Sequence, residues 1–574
     1  MKKIIFFNPN AQIWNHALPE AKLAQDFQKI GLNVYFAKCS SILKSNCTTY
    51  WSKYYTFKKG ITDDYKHKNC INCIKIQNLK NSNLFFKTLD IESQISKLDI
   101  KKVNTIFNEL KKKKFIEVLN FKLEDVPIGK FCAYEVLLVF KKKNLNLNIE
   151  EKKQYYKNLY NCLITFFFTK KIINKKLFHY MVVFNSLYSS NRVAYYLFDK
   201  FRKKSVFNIN IGELFYKRNS FILITRAKSD IENLIFLKNH LWKKFKKIKI
   251  TEYESQLIKQ HFKNIFQSKL IFTYSKPAKT INIFNYFGIK KNQKILLAVC
   301  SSMDEQFSSK IVGSYYPKKK LFVSTIHWIK FLYNFAKINP SIFVVIRLHP
   351  RDFGNLRQKS ISDNAKEIML FSRNVKNLQN FKFDWPEDKL SIYSILPKSD
   401  LVLAQGSSVV LEAKVLKKEV LLDSLDYSII PNDLVHIALT EQNYKKKILE
   451  IISIKNIDNK KNNDLVYFYR WLALKLVYTT KNFEKEINFR ETNFVYRLLN
   501  KFFKRQFYKY LINRIKLSSS HNELLLKFIK NKKETNLAET FLKTLPIERI
   551  SNNVTSLEKK YVYDNYEFLL KEIK

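Results

Sequence analysis

The chain has 574 residues, beyond the size at which a single hydrophobic core keeps growing, so two or three domains are expected. With 46% hydrophobic and 15% aromatic residues there is ample material for packed cores, which excludes a disordered chain. Lys and Arg number 103 against 49 Asp and Glu, a formal net charge of +54, but the lysines are spread along the whole sequence in short runs such as Lys111 to Lys114; they read as a solvated surface, with membrane-surface attraction second and dedicated nucleic-acid binding last.

Taken in chain order, Lys3 to Phe7 reads as a strand, Asn8 to His16 as a polar loop, and a helix runs from Pro19 with Leu23, Phe27 and Ile30 on one face and Gly31 as its stop. Leu32 to Ala37 is a second strand. The result is a βαβ beginning whose first loop lies where open α/β sheets bind ligands. The apolar stretch Ile4 to Phe7 is too short for a signal peptide, and no window approaches the roughly 20 apolar residues of a spanning helix, so a cytoplasmic protein is expected. Asn78 to Phe121 mixes helical spacing with lysine runs and gives no assignment, and Lys141 to Gln154 reads as a solvated excursion.

Order returns with a strand over His179 to Asn185 and a helix over Val193 to Phe201. Asp230 to Leu270 has the pattern of Lys-rich amphipathic helix, suited to a connection. A second alternating series follows: strand Lys294 to Val299, helix Ser324 to Ile338, strand Ile342 to Leu348, helix Leu390 to Leu396, strand Asp400 to Ala404, helix Ser407 to Leu416 and strand Glu419 to Leu422. That alternation predicts an α/β fold with parallel sheets covered on both faces. Lys455 to Asn463 reads as a linker and Leu465 to Lys574 as mostly helical, with Phe502-Phe503-Lys504-Arg505 and Leu524 to Ile529 mixing apolar and basic residues. Such a segment either lies on a membrane surface or packs on the second lobe. The expected division is 1–229, a helical connection 230–270, a second lobe 271–454, and a helical basic extension 465–574.

Three sets of residues carry chemistry. Gly406-Ser407-Ser408 leads from a strand into a helix and offers unpaired N–H groups and hydroxyls to a phosphate, the alternative being that Ser407 caps the helix. Arg347 and His349 close the preceding strand, with Pro350 ending it; Arg by fork-like hydrogen bonds and His as donor or general acid suit a leaving phosphate. Arg351 and Asp352 hold that loop in shape. Glu412, one turn beyond Ser408, is placed to bind ribose hydroxyls or to form a surface ion pair. In the opening loop, His16 and Glu20 are candidates for the base that activates an acceptor hydroxyl. Finally, Cys70-Ile71-Asn72-Cys73 has the spacing of a metal knuckle, which with Cys39 and Cys47 makes a candidate structural zinc site, His67 being a spare ligand. Free thiols or an iron–sulfur site are the alternatives. Cys132, Cys162 and Cys300 sit among apolar residues and read as core, and the seven cysteines form no disulfide framework.

Arg347-Leu348-His349-Pro350, Asp384-Trp385-Pro386 with Leu390-Ser391-Ile392-Tyr393, and Ser407-Ser408 with Glu412-Ala413 together resemble the signature of bacterial capsule-polysaccharide glycosyltransferases. These are relatives of the Kdo transferases and the bacterial polysialyltransferases. Ser301-Ser302-Met303-Asp304-Glu305, His327-Trp328-Ile329 and the opening from Asn8-Pro9 to Pro19-Glu20 resemble the same type. The resemblance covers Lys2 to Cys39 and Lys294 to Pro431, and the order and spacing of the motifs carry it more than any one of them. It implies a GT-B architecture of two Rossmann-like lobes, with the donor nucleotide in the C-terminal lobe, acceptor recognition in the N-terminal one, and no metal required for catalysis. It also implies a nucleotide-sugar donor, CMP-linked in those relatives, and a growing surface glycan or lipid-linked glycan as acceptor; peripheral contact with the inner membrane is the expectation the basic amphipathic tail adds. The sequence departs from the pattern at Leu416-Lys417-Lys418-Glu419, where such proteins place a glycine. Two alternatives stand beside this reading: a polyol phosphotransferase of teichoic-acid type using a CDP-linked donor, and a basic nucleic-acid-binding protein. The second requires basic and aromatic residues gathered on one surface, whereas they are dispersed along the chain.

Overall fold

Short runs rich in Ile, Val, Phe and Leu form most of the strands, and where these are buried on both faces they make the floor of each half. In the first half these are β1 (Lys3–Phe7), β2 (Asn33–Lys38), β3 (Lys87–Asp90), β4 (Tyr180–Phe184), β5 (Val206–Ile211) and β6 (Phe221–Thr225). In the second they are β7 (Lys294–Val299), β8 (Ile342–Arg347), β9 (Phe381–Asp384), β10 (Leu401–Ala404), β11 (Glu419–Leu422) and β12 (His436–Ile437), and a last strand, β13 (Thr480–Asn482), follows. A computed structural model describes residues 1–7, 9, 13–47, 49, 62–214, 220–268, 277, 281–314, 319–354, 360–388, 390–425, 428–454, 458–483, 512 and 523–573.

The first sheet has the order β13-β6-β5-β4-β1-β2-β3. Pairing is parallel from β3 through β5, while β6 and β13 add antiparallel strands at one edge. The second sheet, β12-β11-β10-β7-β8-β9, is parallel throughout. Each is packed on both faces: Ile5, Phe7 and Val183 on one side of the first sheet and Ile4, Phe6 and Val182 on the other, Leu297 and Val402 against Leu296 and Leu403 in the second. The fold is α/β with two Rossmann-like parallel sheets, as the alternation of elements predicts.

Three features differ from the sequence expectation. The first helix spans Trp14–Lys29, so Pro19 lies inside it and His16 is on the helix rather than in a loop. Lys141 to Gln154 is no solvated excursion: Lys141 is 1% exposed and a 26-residue helix, Ile149–Asn174, begins within it with Glu151 and Gln154 buried. The lysines there are long enough to bury their stems and find partners in the other half. Beyond residue 465, the described residues are built into both halves. The helices Asp458–Ala473 and Ser556–Ile573 join the core of the second sheet, and β13 with Leu525, Phe528 and Leu537 joins the first. No helix among the described residues is long and apolar enough to cross a membrane.

Candidate functional site

In the second sheet the chain leaves β7 toward β8 on one side and β10 toward β11 on the other, so a crevice opens between the carboxyl ends of β7 and β10, where such sheets receive ligands. Ser302 follows β7, His349 follows β8, and Gly406-Ser407-Ser408 follows β10. Gly406 has φ +87°, a left-handed conformation that lets the chain turn sharply out of β10. Ser407 is buried and its Oγ accepts from the Val409 N–H at 3.4 Å, while the exposed Ser408 is the N-cap of the Val409–Val415 helix with no side-chain cap bond.

His349 is fixed through Nδ1, which lies 3.1 Å from Ser302 Oγ and accepts from the Arg351 backbone N–H at 3.2 Å. An Nδ1 that accepts from a backbone amide carries no proton, so the neutral ring bears its hydrogen on Nε2. Burial, then the positive charges of Arg351, Arg347 and Lys141, hold the imidazole down to about 3. At neutral pH it is therefore an uncharged N–H donor. A phosphate bound against it would offset those positive charges and raise its proton affinity as negative charge develops on a leaving oxygen.

Arg347 is 6% exposed, and its Nη1 donates to Asp384 Oδ2 at 2.5 Å and to the Leu390 carbonyl at 2.9 Å. These contacts turn it toward the end of β9 and the Leu390 carbonyl, away from the phosphate-binding role expected of it. Glu412 lies beside the Tyr393 hydroxyl, and burial pushes its carboxyl up to about 7. Its Oε2 is buried with no hydrogen-bond partner among the described residues. Below them, Gln405 Nε2 donates to Asp423 Oδ2 at 2.8 Å and Gln306 Nε2 to the Gln405 carbonyl at 3.4 Å, tying the β10 turn to the helix Met303–Ile311.

The first sheet has its own switch point between β1 and β4. His16 stacks on Phe184, the last residue of β4, with centroids 4.0 Å apart and planes 22° from parallel. Glu20 is 1% exposed, and its charge supports the ammonium of Lys80, itself buried and lying over the Phe36 ring at 3.5 Å. The two acceptor-side candidates thus have different surroundings: His16 at the carboxyl edge of the sheet, Glu20 buried near enough to Lys80 for its charge to act on that ammonium.

Among the cysteines, Cys70 and Cys73 occupy one helix, Asp63–Asn83, with the exposed His67. Cys39 follows β2, and burial raises its thiol, with Cys47 and Cys73 near enough to add to the effect. Cys73 Sγ lies 3.9 Å from the Pro9 carbonyl. Among the described residues no group of three or more His, Cys, Asp or Glu side chains is arranged to hold a metal ion. Cys132, Cys162 and Cys300 are buried core residues, as expected.

Ser302 and Tyr393 lie within the quoted motifs, but their contacts join residues 47 and 19 positions apart and had no signal in local spacing. Lys141 gave none at all, since its position in a lysine run marks it for solvent.

No family model matches the chain, and no curated protein matches it. Solved structures similar to it include the beta Kdo 2,4 transferase of Thermosulfurimonas dismutans KpsC, at TM-score 0.31 and 10% identity, covering 53% of this chain and 81% of that one. The beta Kdo 2,7 transferase of the same protein gives TM-score 0.27 at 12% identity, covering 55% and 82%. A UDP-GlcNAc 2-epimerase from Neisseria meningitidis bound to UDP-GlcNAc gives 0.25 at 13%, covering 82% and 94%.

Proposed function

We propose that the chain is a glycosyltransferase that moves a sugar from a nucleotide-linked donor, CMP-linked by its sequence resemblance, onto a growing capsular or other surface glycan. What supports this reading is that His349 and the Ser407-Ser408 turn follow β8 and β10, at the carboxyl ends of an all-parallel sheet beside its switch point, with the buried Glu412 on the helix after that turn. His349 donates through Nε2 to the leaving phosphate, the β10 turn with Ser407 and Ser408 receives its other oxygens, and Glu412 takes a ribose hydroxyl. In the transfer, the acceptor oxygen bonds to the anomeric carbon as the bond from that carbon to the phosphate oxygen breaks. The phosphate leaves with the electron pair, and the acceptor proton passes to a base.

His16, at the carboxyl edge of the first sheet, and Glu20, one turn along the same helix, are the two candidates for that base. Protein groups rather than a metal stabilise the leaving group in this reading, and the acceptor is a glycan or lipid-linked glycan met at the membrane surface. The test is turnover of CMP-, CDP-, UDP- and GDP-linked donors by the purified protein, repeated with His349→Ala. Release of CMP with a glycosidic product supports the reading. A phosphodiester product would instead identify a polyol phosphotransferase, and unchanged turnover in the alanine variant would remove His349 from the site.

A further inference from the structure

Lys141 belongs to the first half, yet its contacts are with the second. Its side chain is 1% exposed, and its Nζ donates to the Phe353 carbonyl at 3.2 Å and the Ser360 carbonyl at 2.6 Å. Both carbonyls lie between β8 and the helix Asp363–Asn374. The Lys141 backbone is left-handed, φ +51°, which a residue with a side chain holds only where its surroundings over-determine it. Three residues earlier, the Leu138 carbonyl accepts from Arg351 Nη2 at 3.1 Å. Arg351 in turn pairs with Asp304 at 2.8 Å and Glu305 at 2.7 Å, and its backbone N–H is the donor that fixes His349 Nδ1. The segment carrying His349 is therefore gripped at two points by one turn of the opposite half.

We propose that Lys141 is a positioning residue: by holding the Phe353 and Ser360 carbonyls from across the cleft, it fixes the His349 to Arg351 turn so that Nε2 of His349 meets the donor phosphate only when the two halves are packed together. This rests on the reading of His349 as the phosphate donor. A buried ammonium must be hydrogen-bonded, and here both acceptors come from the segment it would organise. The charges facing Lys141 are Arg351, Asp304 and Asp352; those acting on His349 are Arg351, Arg347 and Lys141 itself. A neighbouring cross-cleft pair, Lys143 with Glu367, does not touch the turn and serves as a control.

The test compares Lys141→Met, Lys141→Arg and Lys143→Met with the wild-type chain by calorimetric titration of CMP and by NMR titration of the His349 imidazole, assigned with His349→Ala. Lys141→Met is expected to weaken CMP binding by about tenfold and, by removing one of the cations that hold it down, to let His349 take up its proton at a higher pH than in the wild-type chain. Lys141→Arg is expected to restore most of the affinity, and Lys143→Met to change neither readout. Wild-type affinity together with an unmoved His349 titration in Lys141→Met would overturn the proposal, as would an equal loss in Lys143→Met. If Lys141→Met does not fold, amide exchange in the wild-type chain decides: CMP should slow exchange across 138–141 together with 349–353, and protection of the second segment alone would refute the link. Should the wild-type chain bind no CMP, the nucleotide reading fails, while amide exchange of 349–353 in Lys141→Met against Lys143→Met still tests whether Lys141 orders that turn: equal exchange in the two would overturn it.

Discussion

At the scale of single residues, burial sets opposite demands on the two titratable groups of the crevice. The folded chain keeps His349 unprotonated down to about 3, against 6.5 ordinarily, so between those values the unfolded chain binds a proton that the folded chain refuses. Its contribution to stability is present above pH 6.5 and is lost as pH falls toward 3. In thermal melts, His349→Gln is therefore expected to lose stability less steeply with acid over that window than the wild-type chain. Glu412 behaves the other way. Its carboxyl is raised from 4.5 to about 7, so its contribution is complete below pH 4.5 and is lost as pH rises through 7. Glu412→Gln should flatten that decline, and a variant that melts in parallel with wild type from pH 4.5 to 7 would show that Glu412 is not buried as described. The sequence made both residues candidates from their place after a strand and on a helix. It could not show that Arg347 turns to Asp384 37 positions away, because that choice is made by the β8–β9 pairing.

At the scale of elements, buried strands were the most legible part, since continuous apolar runs such as Lys294 to Val299 and Glu419 to Leu422 leave little choice of structure. Edge strands such as β3 and β12 were not, because two to four polar or mixed residues carry no period. The missing glycine after the Val409–Val415 helix has a visible consequence. Lys417 takes the left-handed conformation, φ +56°, and its ammonium lies over the Tyr566 ring at 4.1 Å and the Tyr563 ring at 5.0 Å. The strain costs roughly 1 kcal/mol, and ring contacts of this type offset about 0.5–1 kcal/mol. Lys417→Ala keeps the strain and loses the rings, so chemical denaturation should show a loss of about 0.5–1 kcal/mol. Lys417→Gly relieves the one as it loses the other and should be nearly neutral; a large loss in the glycine variant would show that the rings dominate.

At the scale of the whole molecule, the alternation of strands and helices was enough to read two parallel sheets, and the C-terminal segment was the hardest to place because its helical pattern says nothing of which half it serves. Its described residues serve both. Arg470 illustrates how: it makes a two-point ion pair with Glu558 at 2.9 and 2.7 Å and donates to the carbonyls of Lys246 and Asn553, joining three separate stretches of chain. Breaking such a buried pair leaves a charge without its partner, so Arg470→Met should lose roughly 3–5 kcal/mol of stability in chemical denaturation. An unchanged unfolding midpoint would mean that the last helix docks independently.

The central claim, that a donor nucleotide sits at the β7–β10 crevice against His349 and Glu412, is tested most directly by calorimetric titration of CMP into the wild-type chain, His349→Ala and Glu412→Gln. The wild-type chain is expected to bind, with each substitution weakening the affinity by at least about tenfold. Equal affinity in all three proteins would contradict it.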